Sequence, residues 1–395
     1  MNRAFVLITV AILFVACAGI PISCQNGPSG VHEPVRDYRP VMEKKPMVRV
    51  LLVNNAREAY IATYGSYQIT GSLTNIIDQG QGLPKSAITI NRDGINIGNK
   101  LYDSSEIRIA GLRDGEVEVN NIRYHGEIRI LQQPNNRFSV IEEVNLENFV
   151  AGVLGSEMPH SWNDEALRAQ AVVIRTYVMY KRNEKRDNVY QLDMLDLAYR
   201  GMAGETPRIN KLVEDTRGMV MTYNWIVFEA CFHSTCGGHT EDIHQVFGKE
   251  SIPPLRGVVC KYCANTKYSN WRVEMNKSDI EKRLREANIS VSNIQTVKAI
   301  DQGTGIHGAI VEIIAADGGR DINANDFRLL VGANSLYSTS FSAKSNGRSI
   351  AFSGRGYGHG VGLCQYGAQN MALKGFQWTD IVKYYYPEME LLRVY

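Results

Sequence analysis

The sequence predicts an α+β protein with a strand-rich N-terminal portion, and three observations support this fold class. Between residues 47 and 143, short stretches alternate apolar and polar side chains and are separated by glycine turns, which is typical of antiparallel strands. An apolar, glycine-containing stretch follows, and a helical pattern begins at about Asp164. A second helical pattern, over residues 277–287, lies among further strands. We therefore expect strands and helices to be largely segregated along the chain.

Length and composition indicate an ordinary folded protein without a strongly charged partner. The chain has 395 residues, which is enough for two or three domains with an ample core. Hydrophobic residues make up 44% and charged residues 21%, and the formal net charge is only +2. The sequence has no basic run and no phosphate-binding loop. The composition therefore argues for neither nucleic acid nor an anionic membrane surface as a partner.

Residues 1–23 have the pattern of a secretion signal. Arg3 precedes an apolar run over residues 4–16 that is too short to span a bilayer comfortably. Cys17 and Cys24 each follow a small residue, an arrangement that resembles a bacterial lipoprotein signal. A plain cleaved signal and an uncleaved anchor are the alternatives. Because all three export the rest of the chain, we expect a cell-envelope protein, lipid-anchored at Cys17 or Cys24.

Changes in composition divide the rest of the chain. Residues 24–46 are polar, contain prolines and lack periodicity, which is typical of a linker. Amphipathic helices and alternating strands in residues 272–345 predict a small α+β insert. The full division is a signal (1–23), a linker (24–46), a strand-rich portion (47–143), a first core part (144–271), the insert (272–345) and a second core part (346–395).

Glu157 is the first candidate catalytic residue. It lies among apolar and glycine residues, where burial should raise its pKa toward the value that a general acid needs at neutral pH. A helix follows it, and either Ser161 or Asn163 is suited to cap that helix. Arg175, later in the same helix, is placed to point its guanidinium back toward the acid. The alternative is an ordinary surface glutamate before a capped helix.

Three polar, glycine-rich segments predict a site built from loops. Glycine lets the backbone approach a ligand closely, and functional side chains concentrate on loops. A single histidine more often satisfies the core than takes part in catalysis, but three such segments in one chain favour a functional site. The candidate residues are Tyr199 in segment 198–202, His233 and Ser234 in segment 232–242, and His359 and Gln365 in segment 354–368.

The cysteines beyond the signal suggest paired use outside the cytoplasm. They are Cys231, Cys236, Cys260, Cys263 and Cys364. The Cys-x2-Cys pair at 260 and 263 suits one edge of a zinc tetrahedron, with Cys236 and His239 or His233 as the other ligands. One or two disulfides between the 231/236 and 260/263 segments, and free thiols, remain open. Cys364 is most simply a small buried residue.

The segments together resemble a known family. The signatures are E-M-P at residues 157–159, E-A-L-x-A-Q-A-x-x-x-R-T-Y at 165–177, and G-H-G-V-G-x-x-Q-x-G-A at 358–368. On these motifs the chain is identified as a member of the SpoIID/LytB family of bacterial cell-wall proteins, of the stage II sporulation protein D and amidase-enhancer type. The matching segments cover most of residues 47 to 390 in the same order.

The resemblance implies work on peptidoglycan and a SpoIID-type core with a loop-built groove. The sporulation branch is a lytic transglycosylase that cleaves MurNAc-GlcNAc glycan strands with a single catalytic glutamate. Its acid and its essential arginine match Glu157 and Arg175. The implied substrate-binding residues are Gln170, Tyr199, His233, Ser234, His359 and Gln365.

The enhancer branch gives the alternative function. It implies a non-catalytic cell-wall-binding protein that stimulates an N-acetylmuramoyl-L-alanine amidase. Residues 197–201 depart from the commoner Q-x-Y-x-G pattern of the family, which puts the substrate subsites in doubt. Zinc occurs in a family member at His and Cys ligands near the H-S-T segment, but those positions do not map cleanly here. No cofactor is required for transglycosylation, and a zinc at Cys236, His239, Cys260 and Cys263 would be structural. A zinc hydrolase using this cluster is the weaker alternative.

Overall fold

The computed structural model describes residue 39 and residues 44–395, apart from residues 114, 195 and 301–305. The predicted signal with Cys17 and Cys24, and most of the linker, lie outside the described residues. Within the described part of the chain, no helix combines the length and the apolar character needed to cross a membrane.

The N-terminal portion consists of antiparallel strands, as the alternating pattern predicted. The strands are β1 (Met47–Ala56), β2 (Ala59–Tyr64), β3 (Ser66–Gly71), β4 (Ile76–Gln81), β5 (Ser86–Asn91), β6 (Gly94–Ile97), β7 (Lys100–Tyr102), β8 (Glu106–Gly111), β9 (Glu116–Val119), β10 (Ile122–Tyr124), β11 (Glu127–Gln133) and β12 (Arg137–Asn145), and β13 (Leu192–Asp193) joins them from further along the chain. One sheet has the order β13-β1-β12-β11-β8-β3-β4 and the other β10-β9-β2-β5-β6-β7. Only β13 runs parallel to its neighbour among these described strands.

The remaining elements mix helices with short strands. They are α1 (Leu146–Glu157), α2 (Asp164–Glu184), α3 (Pro207–Asp215), β14 (Met219–Tyr223), β15 (Ile226–Val227), β16 (Phe232–His233), α4 (Ile243–Phe247), β17 (Trp271–Asn276), α5 (Lys277–Glu286), β18 (Ile294–Ile300), β19 (Ile310–Ala315), β20 (Gly318–Asn323), α6 (Ala324–Val331), β21 (Phe341–Asn346), β22 (Ser349–Gly354), β23 (Leu363–Cys364), α7 (Gln365–Leu373), α8 (Trp378–Tyr385) and β24 (Glu390–Arg393). The described chain is therefore strand-rich and of the α+β class.

The first core joins the two N-terminal sheets to the helices. Alternate residues of the strands are buried, as Ile107 and Ile109 in β8 and Ile128 and Ile130 in β11 illustrate. The same hydrophobic cluster continues through the apolar faces of α1, α2, α7 and α8. Since burial of apolar surface is the main force that holds such layers together, the strand-rich portion frames the helices rather than standing apart from them.

Side-chain caps mark the starts of α1 and α2, the two helices on either side of the turn that follows Glu157. Asn145 accepts a hydrogen bond from the Glu147 N–H at the start of α1. Asn163 does the same for the Glu165 N–H at the start of α2, so it is the cap and Ser161 is not. Each cap satisfies one of the free N–H groups at a helix start. The turn between the helices therefore follows Glu157, which is the last residue of α1.

The insert has its own hydrophobic core. This second cluster runs from Trp271 to Phe352 and packs α5 and α6 against β17–β22. The helix expected over 277–287 is α5. The cluster extends past residue 345, because β22 pairs with both β17 and β21. The boundary predicted at residue 345 therefore falls within the β21–β22 hairpin. In the sequence, β22 reads as the start of the glycine-rich segment that follows it.

A buried ion pair joins α1 to α2. The Arg175 Nε and Nη2 atoms donate to the two carboxylate oxygens of Glu147 at 2.9 and 2.6 Å. Arg175 is 0% exposed. Nη1 donates to the carbonyl of Met219, while Glu147 also accepts from the Gly218 N–H. Burial alone would raise the pKa of Glu147, but Arg175 and the hydroxyl of Tyr395 hold it below its usual value. The pair is fully hydrogen-bonded, as a buried pair must be.

Replacing Arg175 should test this structural role. Arg175→Met leaves the Glu147 charge buried without its partner, so the free energy of unfolding should fall by about 3–5 kcal/mol. Arg168→Met is the control on the same helix, where the partly exposed pairs with Glu165 and Asp215 should be worth about 1 kcal/mol or less. Denaturant titrations measure both losses. Equal losses in the two variants would contradict the assignment.

Candidate functional site

Glu157 is the last residue of α1 and is almost enclosed. Its side chain accepts a hydrogen bond of 2.9 Å from the backbone N–H of Ala198, and the residue is 8% exposed. Burial raises the pKa of Glu157 to about 7, against the opposing effects of the Ala198 N–H and of the Gln365 side chain. A carboxyl with this pKa is largely protonated just below neutral pH, which suits it to donate a proton.

Two glycines of α1 allow the Ala198 segment to reach the acid. A Cβ atom on Gly155 would lie 1.6 Å from the carbonyl oxygen of Gly204. A Cβ on Gly152 would lie 2.7 Å from the carbonyl oxygen of Gly201. Any larger residue at either position would therefore push this turn away from the helix. The glycines seen around Glu157 in the sequence thus serve close packing of backbone on backbone.

Gln365 and Gln170 bring buried amides to the site. Gln365 begins α7, and its side chain lies close enough to Glu157 to favour the charged carboxylate. Among the described residues, Gln365 Nε2 nevertheless has no hydrogen bond of ordinary geometry, and neither polar atom of Gln170 has one. Gln170 is on α2, which packs against α7. Buried polar groups are nearly always hydrogen-bonded, so these amides await a partner.

His233 and His359 meet where two predicted segments pair. β16 and β23 run parallel, with His233 opposite Cys364. The His233 Nδ1 donates to the carbonyl of Val361 at 3.1 Å, which leaves Nε2 as an unprotonated acceptor without a partner in the described chain. Burial, with repulsion from His359 and His307, lowers the pKa of His233 well below its usual value. His233 is therefore a neutral imidazole.

His359 holds the main chain rather than facing a ligand. Its Nε2 donates to the carbonyl of Phe232, and its Nδ1 accepts from the N–H of Val361. Burial and the charge of Arg328 lower its pKa to about 3. Both ring nitrogens are occupied, so the expectation that His359 contacts substrate is corrected to a structural role. From the sequence alone, a histidine in a glycine-rich loop that binds substrate cannot be distinguished from one that holds the main chain.

Tyr199 is also a core residue. Its hydroxyl donates to Glu142 at 2.8 Å, and its ring lies 4.5 Å from that of Phe149. It is 4% exposed. The expected substrate-binding role of Tyr199 is therefore not supported by its position, because the side chain points into the first core. The segment contributes the neighbouring Ala198 N–H instead.

Arg175 does not reach Glu157. Its Nε and Nη2 atoms donate to Glu147, and its Nη1 atom donates to the carbonyl of Met219. The expectation that Arg175 points back toward the acid is therefore wrong, because a nearer carboxylate on α1 pairs with it. Its influence on Glu157 is indirect and acts through the placing of α1 on α2.

An aromatic pair joins the turn after Glu157 to the start of α7. Trp162 follows the turn after Glu157, and Tyr366 follows Gln365, with ring centroids 5.0 Å apart in an edge-on arrangement. Both are half-buried. Ser234 is half-buried as well, and its carbonyl accepts from the Tyr366 N–H. These rings are amphipathic surfaces on the rim of the site.

Four cysteine sulfurs form a cluster next to β16, β23 and α7. Those of Cys236, Cys260, Cys263 and Cys364 all lie within 4.8 Å of one another, and the residues are buried. The described cysteines form no disulfide. His239 is not in the group, because its Nδ1 bonds to the carbonyl of Thr240. Of the predicted ligands, Cys236, Cys260 and Cys263 lie together as expected, but the fourth member of the group is Cys364 and not His239.

Sequence reasoning missed three features of this site. The Ala198 N–H leaves no signal in a sequence, since any residue but proline supplies it. The aromatic pair was visible as Trp162 soon after E-M-P and Tyr366 directly after Gln365. Cys364 was visible as a further cysteine inside the glycine-rich segment 354–368 of a cysteine-rich chain.

Comparisons with known proteins agree with the resemblance in the motifs. The family model SpoIID, described as stage II sporulation protein, matches residues 134–223. Stage II sporulation protein D of Bacillus amyloliquefaciens is 30% identical over 276 residues, which cover 64% of this chain and 75% of that protein. An uncharacterized protein of Brachyspira hyodysenteriae is 30% identical over 346 residues, which cover 85% of this chain and 87% of that protein.

The amidase enhancer of Bacillus subtilis (strain 168) is more distantly similar. It is 28% identical over 280 residues, which cover 60% of this chain but only 39% of that protein. The region matched by the family model contains Glu157, Arg175 and the helices that carry them. With three quarters of a stage II sporulation protein D aligned at 30% identity, this chain belongs to the SpoIID/LytB family.

Proposed function

We propose that this protein is a lytic transglycosylase that cleaves MurNAc-GlcNAc glycan strands of peptidoglycan, with Glu157 as its catalytic acid. The observation that carries the proposal is the Glu157 carboxyl, which is buried at the end of α1 with a pKa raised to about 7. General acids work best when their pKa lies near the working pH. Membership of the SpoIID family supports a role in the cell wall.

The proposed mechanism uses one carboxyl group, that of Glu157, whose pKa is raised by burial. Glycoside hydrolases ordinarily need two, the second to act as nucleophile or to activate water. A lytic transglycosylase needs one, because the C6 hydroxyl of the N-acetylmuramic acid is the nucleophile.

The proposed reaction balances on Glu157 alone. Its proton passes to the glycosidic oxygen as the bond from C1 of N-acetylmuramic acid to that oxygen breaks. The resulting carboxylate then takes the proton of the C6 hydroxyl as the new C1–O6 bond closes the 1,6-anhydro ring. Glu157 ends protonated, ready for another cycle. The Ala198 N–H stabilises the carboxylate between the two steps.

The neighbouring residues suit the binding of sugar. Gln365 and Gln170 offer amide groups, and His233 offers an acceptor nitrogen. The Nε2 of Gln365, both polar atoms of Gln170 and the Nε2 of His233 have no hydrogen bond of ordinary geometry in the described chain. Ser234 adds a hydroxyl. Trp162 and Tyr366 offer aromatic faces against which the apolar face of a pyranose ring would pack. We assign them to substrate binding, with no step of proton transfer.

The location follows from the substrate. Peptidoglycan lies outside the cytoplasmic membrane, so the enzyme would act in the cell envelope. An exported chain held at the membrane through Cys17 or Cys24 would reach the glycan at the end of the linker 24–46. No nucleic acid would be involved.

The second candidate function is that of a cell-wall-binding enhancer of an N-acetylmuramoyl-L-alanine amidase. The similarity to the Bacillus subtilis amidase enhancer favours it. So does the enclosure of Glu157, which is 8% exposed and would need some opening to reach a glycosidic oxygen. The two candidates differ in one product, the 1,6-anhydro sugar.

Glu157→Gln should abolish cleavage. The amide keeps the size of the side chain but cannot donate the proton, so anhydro-muramyl products should fall by at least about a hundredfold. Mass spectrometry of peptidoglycan strands without stem peptides, incubated with the full-length protein and the variant, measures them. Glu142→Gln is the matched control, because Glu142 also has a pKa raised by burial to about 7 but is 0% exposed.

Three results of this experiment bear on the proposal. Products from the wild type and Glu142→Gln, but not from Glu157→Gln, support it. Products from all three would mean that the acid is another residue. No products from any of them, with strand binding retained, would favour the enhancer.

The stability of the protein should reveal the raised pKa of Glu157 directly. The folded state holds this proton until about pH 7, while the usual value is 4.5. The group therefore favours folding fully below pH 4.5, and this contribution is lost as the pH rises to 7. Relative to Glu157→Gln, the wild type should lose on the order of 2–3 kcal/mol across this window.

Denaturant titrations at pH 4.5, 5.5, 6.5 and 7.5 measure this difference. Glu214→Gln, at an exposed position of α3, should follow the wild type at every pH. A difference between the wild type and Glu157→Gln that stays constant with pH would show that Glu157 titrates normally.

A further inference from the structure

The cysteine cluster brings together three separate segments of the chain. Cys236 follows β16, Cys260 and Cys263 lie on the turn after residue 258, and Cys364 is the last residue of β23, directly before α7. Their sulfurs all lie within 4.8 Å of one another, and those of Cys236 and Cys263 are 3.3 Å apart. The proposed sugar chemistry uses none of them.

The spacing of the sulfurs suits a tetrahedral metal ion better than disulfides. With Zn–S bonds of about 2.3 Å, tetrahedral ligands lie about 3.8 Å from one another. A disulfide brings two sulfurs to about 2.0 Å and involves only a pair. Four mutually close thiols offer the soft donor set that selects zinc or iron.

We propose that Cys236, Cys260, Cys263 and Cys364 bind one Zn²⁺ ion in a closed, four-sulfur structural site. Each thiol releases its proton to solvent as its sulfur binds the metal, so the four thiolates and Zn²⁺ carry a net charge of −2. With four protein ligands no position stays open for water. A closed site of this kind cannot activate water, so the cluster is not the catalytic centre of a zinc hydrolase.

The surroundings already hold hydrogen-bond donors for this charge. The N–H groups of Cys236 and Gly367 each donate to the Cys364 sulfur at 3.3 Å. The Tyr385 hydroxyl lies 3.1 Å from the Cys260 sulfur. Such outer contacts orient the ligands of a metal and stabilise its charge. The Cys364 sulfur also caps the start of α7, where the helix dipole favours a thiolate.

One glycine keeps room for this arrangement. A Cβ atom on Gly367 would lie 2.0 Å from the Tyr385 hydroxyl and 3.0 Å from the Cys260 sulfur. The chain therefore lacks a side chain at the point where α7 faces the cluster. Gly367 is the final glycine of the G-x-x-Q-x-G part of the last motif, and its lack of a side chain leaves space for the Tyr385 hydroxyl and the Cys260 sulfur.

The metal would fix the start of α7 to the two other segments. Cys364 directly precedes Gln365, whose side chain lies beside Glu157. His307 adds a tie from the insert, because its Nε2 donates to the carbonyl of Cys236 at 2.9 Å. The zinc site stands on the sulfur geometry alone, and it holds whether or not Glu157 is a catalytic acid.

The test begins with the unmodified protein. The full-length chain, purified without chelator, should contain one zinc per chain by elemental mass spectrometry. Exchange for Co²⁺ should give the visible and near-ultraviolet bands of a tetrahedral four-thiolate site. Alkylation after denaturation without reductant, followed by peptide mass spectrometry, should find all four cysteines as thiols. Iron in place of zinc, a disulfide among the four, or no bound metal would each overturn the proposal.

Variants locate the site. Cys263→Ser should weaken zinc binding by more than the roughly 10–100-fold that loss of an outer contact costs. Cys231→Ser is the matched control, since Cys231 is buried nearby but lies outside the group of four. It should keep one zinc and the cobalt spectrum. If Cys231→Ser loses the metal as completely as a folded Cys263→Ser, the ligand assignment is wrong; should Cys263→Ser fail to fold, the cobalt spectrum of the wild type still decides the question.

Discussion

The buried pair of Glu147 and Arg175 is the interaction on which the rest of the core depends. It links the start of α1 to the middle of α2, and through Gly218, Met219 and Tyr395 it also holds β14 and the end of the chain. Removing two charges from water is costly, and only complete hydrogen bonding offsets that cost. Each N–H group of the pair has a defined acceptor, so these hydrogen bonds form only when α1 and α2 pack in this one orientation. The far end of α1 is where the chemistry is proposed, so an arginine that never touches the acid still decides where the acid lies.

Three buried carboxyl groups near α1 show how environment divides their roles. Glu147 pairs with Arg175 and keeps its charge, with a pKa below its usual value. Glu142 is enclosed under Tyr199, and burial raises its pKa to about 7. Glu157 has a similar pKa but lies at a helix end, in contact with the Ala198 N–H and with the side chain of Gln365. A raised pKa alone therefore does not mark a catalytic acid. The position of Glu157 next to groups that can bind a ligand separates it from Glu142.

Features set by near neighbours were predictable from the sequence, and features set by distant ones were not. The alternating strands and a side-chain cap just before Asp164 depend on residues close in the chain, and the structure confirms both, with Asn163 rather than Ser161 as the cap. The partner of Arg175 is 28 residues away and the N–H that contacts Glu157 is 41 residues away. No local pattern distinguishes those contacts from others. The motifs named segments that the structure brings together at Glu157, because a family signature carries tertiary information, but they did not say which atoms of those segments meet.

The unpartnered polar atoms are the strongest physical reason to regard this region as a binding site. A buried group without a hydrogen bond costs about 1–3 kcal/mol, and a fold under no other demand would replace it or pair it. Within the described chain, both polar atoms of Gln170, the Nε2 of Gln365 and the Nε2 of His233 lack a hydrogen bond of ordinary geometry, and these residues lie on α2, α7 and β16. Beside them the cysteine cluster and the Glu147 pair are well supplied with hydrogen bonds. Rigid, satisfied surroundings around unsatisfied groups are what a site prepared for a hydroxyl-rich ligand requires, since the ligand then supplies the missing bonds without first having to order the protein.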